Sequence, residues 1–260
     1  MTKVKDILNI LNEFAPADNA EGWDNVGLLV GDEEKKVKKV LVALDITLET
    51  VLEAKDEGAD LIVAHHPLIY KPMYNIRENN RCGKIVRELI KSDISAICMH
   101  TNLDVAEGGV NDELASVLSL RHIGIVPKTA GLLRYGYLPE PMSVKEFVYF
   151  VSNILSCPVV RYNDTDKDIS LVAVGGGACG DYMESAAEFG CDAFVSADLK
   201  YNVMLDASYL NICALDAGHF CTERPVCRVL AEKLCLSFEG IKVKESTHIP
   251  NIKGFIRNGI

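Results

Sequence analysis

Two adjacent histidines end the apolar run Asp60-Leu-Ile-Val-Ala-His65-His66-Pro67. The run has the length of a buried strand, and proline biases the residue before it toward extended backbone. On a continuing strand the two rings would face opposite sides of the sheet. Both serve one site only if the strand ends there and the chain turns. A strand end opening into a cleft is where open α/β sheets bind ligands. Neutral imidazole is a common metal ligand, so the partners of the pair decide between a metal site and two structural side chains.

Candidate partners stand at other strand ends: His100 with Asp104, Asp198, and the run Asp216-Ala-Gly-His219-Phe-Cys-Thr-Glu223-Arg-Pro225. In the last run Gly218 permits an unusual turn. Thr222 reads as a helix N-cap, with Glu223 in the first turn and Pro225 early in the helix. His219 and Glu223 are then four apart across a loop-to-helix junction and face the same cleft. Three histidines and two carboxylates exceed the needs of one four-coordinate structural zinc. They suit two divalent ions, with one carboxylate bridging them at roughly 3.5–4 Å, the arrangement of hydrolytic centres. Imidazole and carboxylate donors accept zinc, iron, manganese, cobalt or nickel.

A second motif competes. Gly175-Gly-Gly177-Ala-Cys-Gly180 matches the glycine pattern of a dinucleotide fold, and Asp198 follows near the place of a ribose-binding acid. That pattern would make the protein a nucleotide-binding oxidoreductase. Against it, the corresponding part of the first half has Asp45-Ile-Thr47 in place of glycines. The better reading is a tight strand-to-helix turn whose amides cradle an anionic substrate.

The elements that position these residues alternate. Residues 1–14 read as an amphipathic helix, and 21–32 as a turn-rich segment holding the only tryptophan, Trp23. Lys39–Leu44 reads as a buried strand, Thr47–Gly58 as a helix stopped by its glycine, Arg81–Lys91 as a helix, and Ile94–Met99 as a strand. A helix follows at about Asn111–Leu120. A shift of 132 residues then lays Val40-Leu-Val42 on Val172-Ala-Val174 and Gly58-Ala-Asp60 on Gly190-Cys-Asp192. Under it His65 meets Ala197 and His66 meets Asp198, so the fold itself does not demand the histidine pair. The fold class is therefore α/β with two similar lobes, residues 1–128 and 129–260. The region between Gly131 and Asn163 has no counterpart in the first half: 132–138 reads as a strand, Ser143–Leu155 as a helix capped by Ser143, and 159–162 as a strand. Residues 241–260 read as one strand and a tail.

Composition narrows the function classes. Charged residues make up 25% of the chain and the net charge is −10, so a nucleic-acid backbone or an anionic membrane is an unsuited main partner. No apolar run reaches the roughly 18 residues that span a bilayer, and the N-terminal helix lacks the features of a signal peptide. Nine cysteines without C-x-x-C spacing, several of them in apolar runs (Cys98, Cys191, Cys213), fit a reducing cytoplasm.

Taken in order, Trp23-Asp-Asn-Val-Gly27-Leu, His65-His66-Pro67-Leu68, His100-Thr-Asn-Leu-Asp104, the 175–180 turn and Gly218-His219-Phe-Cys-Thr-Glu223 resemble the Nif-three-like dinuclear-metal family, catalogued as GTP cyclohydrolase I type 2 homologues. The resemblance runs nearly end to end and matches the short form without a central insert. It implies two intertwined α/β lobes with mixed sheets and a dinuclear metal site in the cleft between them. By the resemblance, His66 and Asp104 hold one metal, His65 and His219 the other, and Glu223 bridges both. His100 stands beside them as the catalytic proton-transfer candidate. Many members have a histidine where this chain has Asn202, so that position is not taken as a ligand. The resemblance further implies a homohexameric ring, a trimer of dimers, and a metal-dependent hydrolase acting on a small anionic substrate. A non-catalytic metal-handling assembly is the alternative.

Overall fold

The computed structural model describes residues 1–249; the tail expected beyond them lies outside the described residues. Helix α1 (Val4–Phe14) buries Val4, Ile7 and Leu11, a stripe spaced three and four apart. There follow β1 (Gly27–Val30), β2 (Lys39–Ala43), α2 (Leu48–Asp56), β3 (Leu61–Ala64), α3 (Arg81–Lys91), β4 (Ser95–Cys98), α4 (Thr101–Val105) and α5 (Val110–Val117). The second half supplies β5 (Arg121–Ile125), β6 (Arg134–Met142), α6 (Val144–Ile154), β7 (Arg161–Tyr162), β8 (Ile169–Val174), α7 (Met183–Phe189), β9 (Ala193–Ser196) and α8 (Tyr201–Tyr209). It ends with β10 (Cys213–Asp216), α9 (His219–Glu223), α10 (Val226–Ser237) and β11 (Lys242–Glu245).

Two mixed sheets result, ordered β1-β4-β3-β2-β11 and β5-β6-β8-β9-β10-β7. Each has three parallel strands at its heart, β2-β3-β4 in one and β8-β9-β10 in the other. An antiparallel strand flanks the third of these in both, β1 on β4 and β7 on β10. Strands β3, β4 and β9 are buried at every residue, as parallel strands covered on both faces must be. That is why they read as unbroken apolar runs rather than alternating ones.

The two halves exchange helices. Helix α5 follows the first sheet, yet Leu114, Ala115 and Leu118 pack in the core under the second, beside Phe147 of α6. Helix α10 follows the second sheet, yet Val226, Leu230 and Leu234 pack in the core of the first, beside Ile7 and Leu11 of α1. Leu230 and Leu234 are fully buried, each contributing about 1.5–3 kcal/mol of apolar transfer. Strand β11 then pairs in parallel with β2. The exchange brings the chain just before α5 and the chain just before α10 face to face.

Two local readings change. The turn-rich segment holds strand β1, whose four half-buried residues and irregular register between Leu28 and Val30 give too short a pattern to be legible. Thr222 is not an N-cap. Gly218, at φ 78°, turns the chain straight into α9 at His219, and the Thr222 hydroxyl donates back to the carbonyls of Gly218 and His219. Among the described residues no helix is long and apolar enough to cross a membrane. Cys98, Cys191 and Cys213 are buried, and burial pushes each thiol up to about 12.

Candidate metal centre

Strand β3 stops at Ala64, and the chain bends while the amides of His65 and His66 reach the carbonyls of Ala43 and Leu44. Both rings consequently turn to one side, with centroids 4.9 Å apart. His65 is fully buried, and its Nδ1 donates to the carbonyl of Met99 at 2.8 Å. His66 Nδ1 meets Asp45 Oδ1 at 2.9 Å, Asp45 standing just past the end of β2. His100 precedes α4, and its Nδ1 lies 2.8 Å from Asp24 Oδ1, while Asp24 Oδ2 accepts from the Thr101 amide. Asp104 is one helical turn further along α4. His219 and Glu223 open and close α9 one turn apart, and His219 Nδ1 lies 2.7 Å from Asp198 Oδ2.

Every one of these four imidazoles therefore has its Nδ1 engaged away from the others. In the neutral ring a fixed Nδ1–H leaves Nε2 as the lone pair, the tautomer a metal requires. The Nε2 atoms and two carboxylates converge. His65 Nε2 lies 3.5 Å from Asp104 Oδ1 and 3.7 Å from Glu223 Oε1. His66 Nε2 and His219 Nε2 lie 2.9 and 3.1 Å from Glu223 Oε2. Despite these approaches, His65 Nε2, Asp104 Oδ1 and Glu223 Oε2 are buried with no hydrogen-bond partner. Stranded polar atoms of this kind are costly unless something else satisfies them. A cation accepts all three at once.

The donors fall into groups whose ligand atoms lie within 4.8 Å of one another: His65 with Asp104 and Glu223, His66 with His219 and Glu223, and His65 with His66 and His100. Glu223 is common to the first two. In this structure the side chains group differently from the metal pairing that the resemblance implies: His65 lies with Asp104, and His66 with His219. The reason is the bend after β3, which sends the first ring down toward α4 and the second up toward α9. Electrostatics agree with a site that draws positive charge. Burial lowers His66 and His219, but Asp45 and Glu223 lift the first to about 10 and Glu223 and Asp198 the second to about 9. Burial pushes Asp104 up to about 7, whereas for Glu223 the surrounding histidines outweigh burial and hold it well below the usual carboxylate range.

The glycine turn belongs to this site. Gly177 sits at φ 64°, where a Cβ would collide with Glu223 Oε1 and come 3.0 Å from His219 Nε2. Four of the turn's amides are not open to a phosphate or another anion. Those of Gly175, Gly176 and Gly177 donate to the Val195 carbonyl, Asn111 Oδ1 and Thr222 Oγ1, and that of Cys179 to Ser196 Oγ. The expected anion cradle is therefore filled by the protein itself. Asn111, fully buried, joins the two sides of the site: its amide donates to the Asp104 carbonyl at 3.0 Å while Oδ1 accepts from Gly176 at 2.6 Å.

The family model described as Duf34/NIF3 (NGG1p interacting factor 3) matches residues 2–252. The chain belongs to the Duf34/NIF3 family. It is 37% identical over 238 residues to the GTP cyclohydrolase 1 type 2 homolog of Clostridium perfringens, covering 89% of this chain and 91% of that one. With the protein of the same name from Lactococcus lactis it shares 33% identity, across 96% and 98% of the two chains. Among solved structures, Staphylococcus aureus hypothetical protein SA1388 superposes with a TM-score of 0.90 at 31% identity, covering 98% of this chain and 99% of that one. Reduced HcgD from Methanocaldococcus jannaschii gives 0.81 at 29% identity, covering 95% and 98%. The two mixed sheets are those of Duf34/NIF3 structures.

Sequence reasoning missed the acids that orient the rings. Asp45 lies just past a strand and Asp24 follows the tryptophan, and nothing in the sequence tied either to a particular histidine. Asp198, a candidate partner by its place at a strand end, holds His219. Asn202 lies on α8.

Proposed function

We propose that this Duf34/NIF3 protein is a dinuclear metal-dependent hydrolase of a small anionic molecule. His65, Asp104 and Glu223 would hold one divalent ion, His66, His219 and Glu223 the second, Glu223 bridging the two. The observation that carries the reading is the set of buried, unpartnered donor atoms on His65, Asp104 and Glu223, faced by imidazoles whose other nitrogen is pinned. Zinc, iron, manganese, cobalt or nickel suits the donors. Bound there, two such ions supply a field that makes water nucleophilic near neutral pH and stabilises negative charge on the reacting group.

The protein's own groups divide the remaining work. His100 groups only with His65 and His66, a set with no carboxylate to offset an ion's charge. It is assigned to proton transfer through Nε2, with Asp24 fixing the ring and stabilising the imidazolium. The name of the relatives points to attack on a purine carbon; phosphoester or amide hydrolysis would use the same groups. The resemblance extends the proposal to a homohexamer in the cytoplasm, which sedimentation of the 28.5 kDa chain at about six times its mass would support.

The test is elemental analysis of the native protein, followed by a hydrolase screen of wild type and His100→Ala. Two ions per chain in both proteins, with turnover reduced by roughly 10²–10⁴-fold in the variant, is the expected result. An active, metal-free protein overturns the reading. Two exchangeable ions with no turnover on any substrate would favour a metal-handling role.

A further inference from the structure

The cleft beside the candidate metal centre has a volume of about 350 Å³, at the small end of the range for ligand sites. Its lining combines three chemistries: the imidazoles of His66, His100 and His219, the guanidinium of Arg81, which opens α3, and the largely apolar surface of Ile46, Pro67, Leu68 and Tyr70. Trp23 extends it, edge-on to Tyr70 at 5.7 Å and to His100 at 6.1 Å between ring centroids. Both aromatic rings are half exposed, though such surface is ordinarily buried in a core or used in binding.

Arg81 is the arginine of the cleft lining. Like Arg77 and Arg121, and unlike Arg87, Arg134, Arg161, Arg224 and Arg228, it has no carboxylate within ion-pair distance among the described residues. The acid in the cleft lining, Asp45, is already engaged by His66. In a chain of net charge −10, the lining keeps one permanent cation, Arg81, that is in ion-pair contact with no carboxylate among the described residues. A guanidinium presents a planar fork that matches a carboxylate or phosphate in two hydrogen bonds.

We propose that Arg81 is the specificity-determining anchor of the substrate. The ligand class is a small molecule with a flat apolar body and a carboxylate or phosphate tail, the tail on Arg81, the body along Tyr70 and Trp23, and the scissile end at the histidines. This inference rests on the metal-centre reading given under Proposed function. It places the recognition of charge away from the metals, so reactivity and selectivity are carried by different residues.

Phenylphosphonate and 4-carboxyphenylphosphonate separate these terms, because they share a metal-seeking end and differ only in the tail. Calorimetric titration of the zinc-loaded protein is expected to give at least tenfold tighter binding of the carboxylated probe, the scale of a charge-assisted pair. Arg81→Gln should erase that preference while leaving metal content and phenylphosphonate binding unchanged; Arg81→Lys should keep part of it. Equal binding of the two probes by wild type overturns the anchor, as does a preference that survives in Arg81→Gln. A 4-phosphonooxyphenylphosphonate probe decides between carboxylate and phosphate tails by which binds more tightly. Failure of the metal-centre reading looks different: wild type then retains no zinc and binds neither compound.

Discussion

His65 Nδ1 donates to the Met99 carbonyl at 2.8 Å, across two neighbouring parallel strands of the first sheet. A carbonyl oxygen only accepts, so this contact fixes the proton on Nδ1 and leaves Nε2 as a lone pair. That lone pair, on a fully buried ring, faces Asp104 and Glu223. The backbone just past β4 thereby selects the tautomer of a side chain just past β3.

The ligand pairing makes a stoichiometric prediction. Asp104→Asn is expected to lose one ion of two, and His219→Ala the other. Glu223→Gln is expected to lose both with the circular dichroism of the fold retained. Elemental analysis of the three purified variants reads this directly. If Asp104→Asn and His219→Ala abolish the same ion, the assignment of His65 with Asp104 and His66 with His219 is wrong.

Gly177→Ala should act on the metals although it changes no ligand. The residue sits at φ 64° and faces Glu223 and His219, so a methyl group displaces the shared carboxylate and strains the backbone. Loss of both ions in a folded protein is expected, with no thermal shift of wild type by saturating NAD. A variant that keeps full metal content would disconnect the turn from the site.

Arg134 ties the halves together. It is 3% exposed, pairs with Asp112 of α5, and donates to the carbonyls of Gly131, Val105 and Ala106. Arg134→Met strands the acid and those carbonyls, and about 3 kcal/mol of stability should be lost. The urea midpoint measures it. A shift corresponding to less than about 1 kcal/mol would mean that water replaces the guanidinium at little cost.

The docking of β11 should depend on acid. Lys244 and Lys39 hold the Glu57 carboxyl down at about 2 from its ordinary 4.5, and both lysines lie on paired strands, β11 and β2. A carboxylate depressed by folding stabilises the folded form above its ordinary value, and that contribution fades as pH falls toward 2. Hydrogen-exchange protection of β11 should drop between about pH 4.5 and pH 2 in wild type and show no such drop in Glu57→Gln. Equal profiles for the two proteins would refute the role of this pair.

Local sequence determined the elements and the chemistry on offer. The span of α3, Arg81–Lys91, follows from its own periodicity, and the buried strands follow from apolar runs that need neighbours on both faces. The donor residues stand at strand and helix ends, where side chains are free of the ladder, so their types were legible too. Tertiary structure alone decided how they combine. His100 meets Asp24 from 76 residues away and Asn111 meets Gly176 from 65, distances at which no local pattern carries information. The exchange of α5 and α10 brings Asp104 and Glu223 together, and it depends on which core each apolar stripe fills. The bend after Ala64 decides which histidine joins which carboxylate. The pair His65-His66 announced a site; the packing of the two halves decided its geometry.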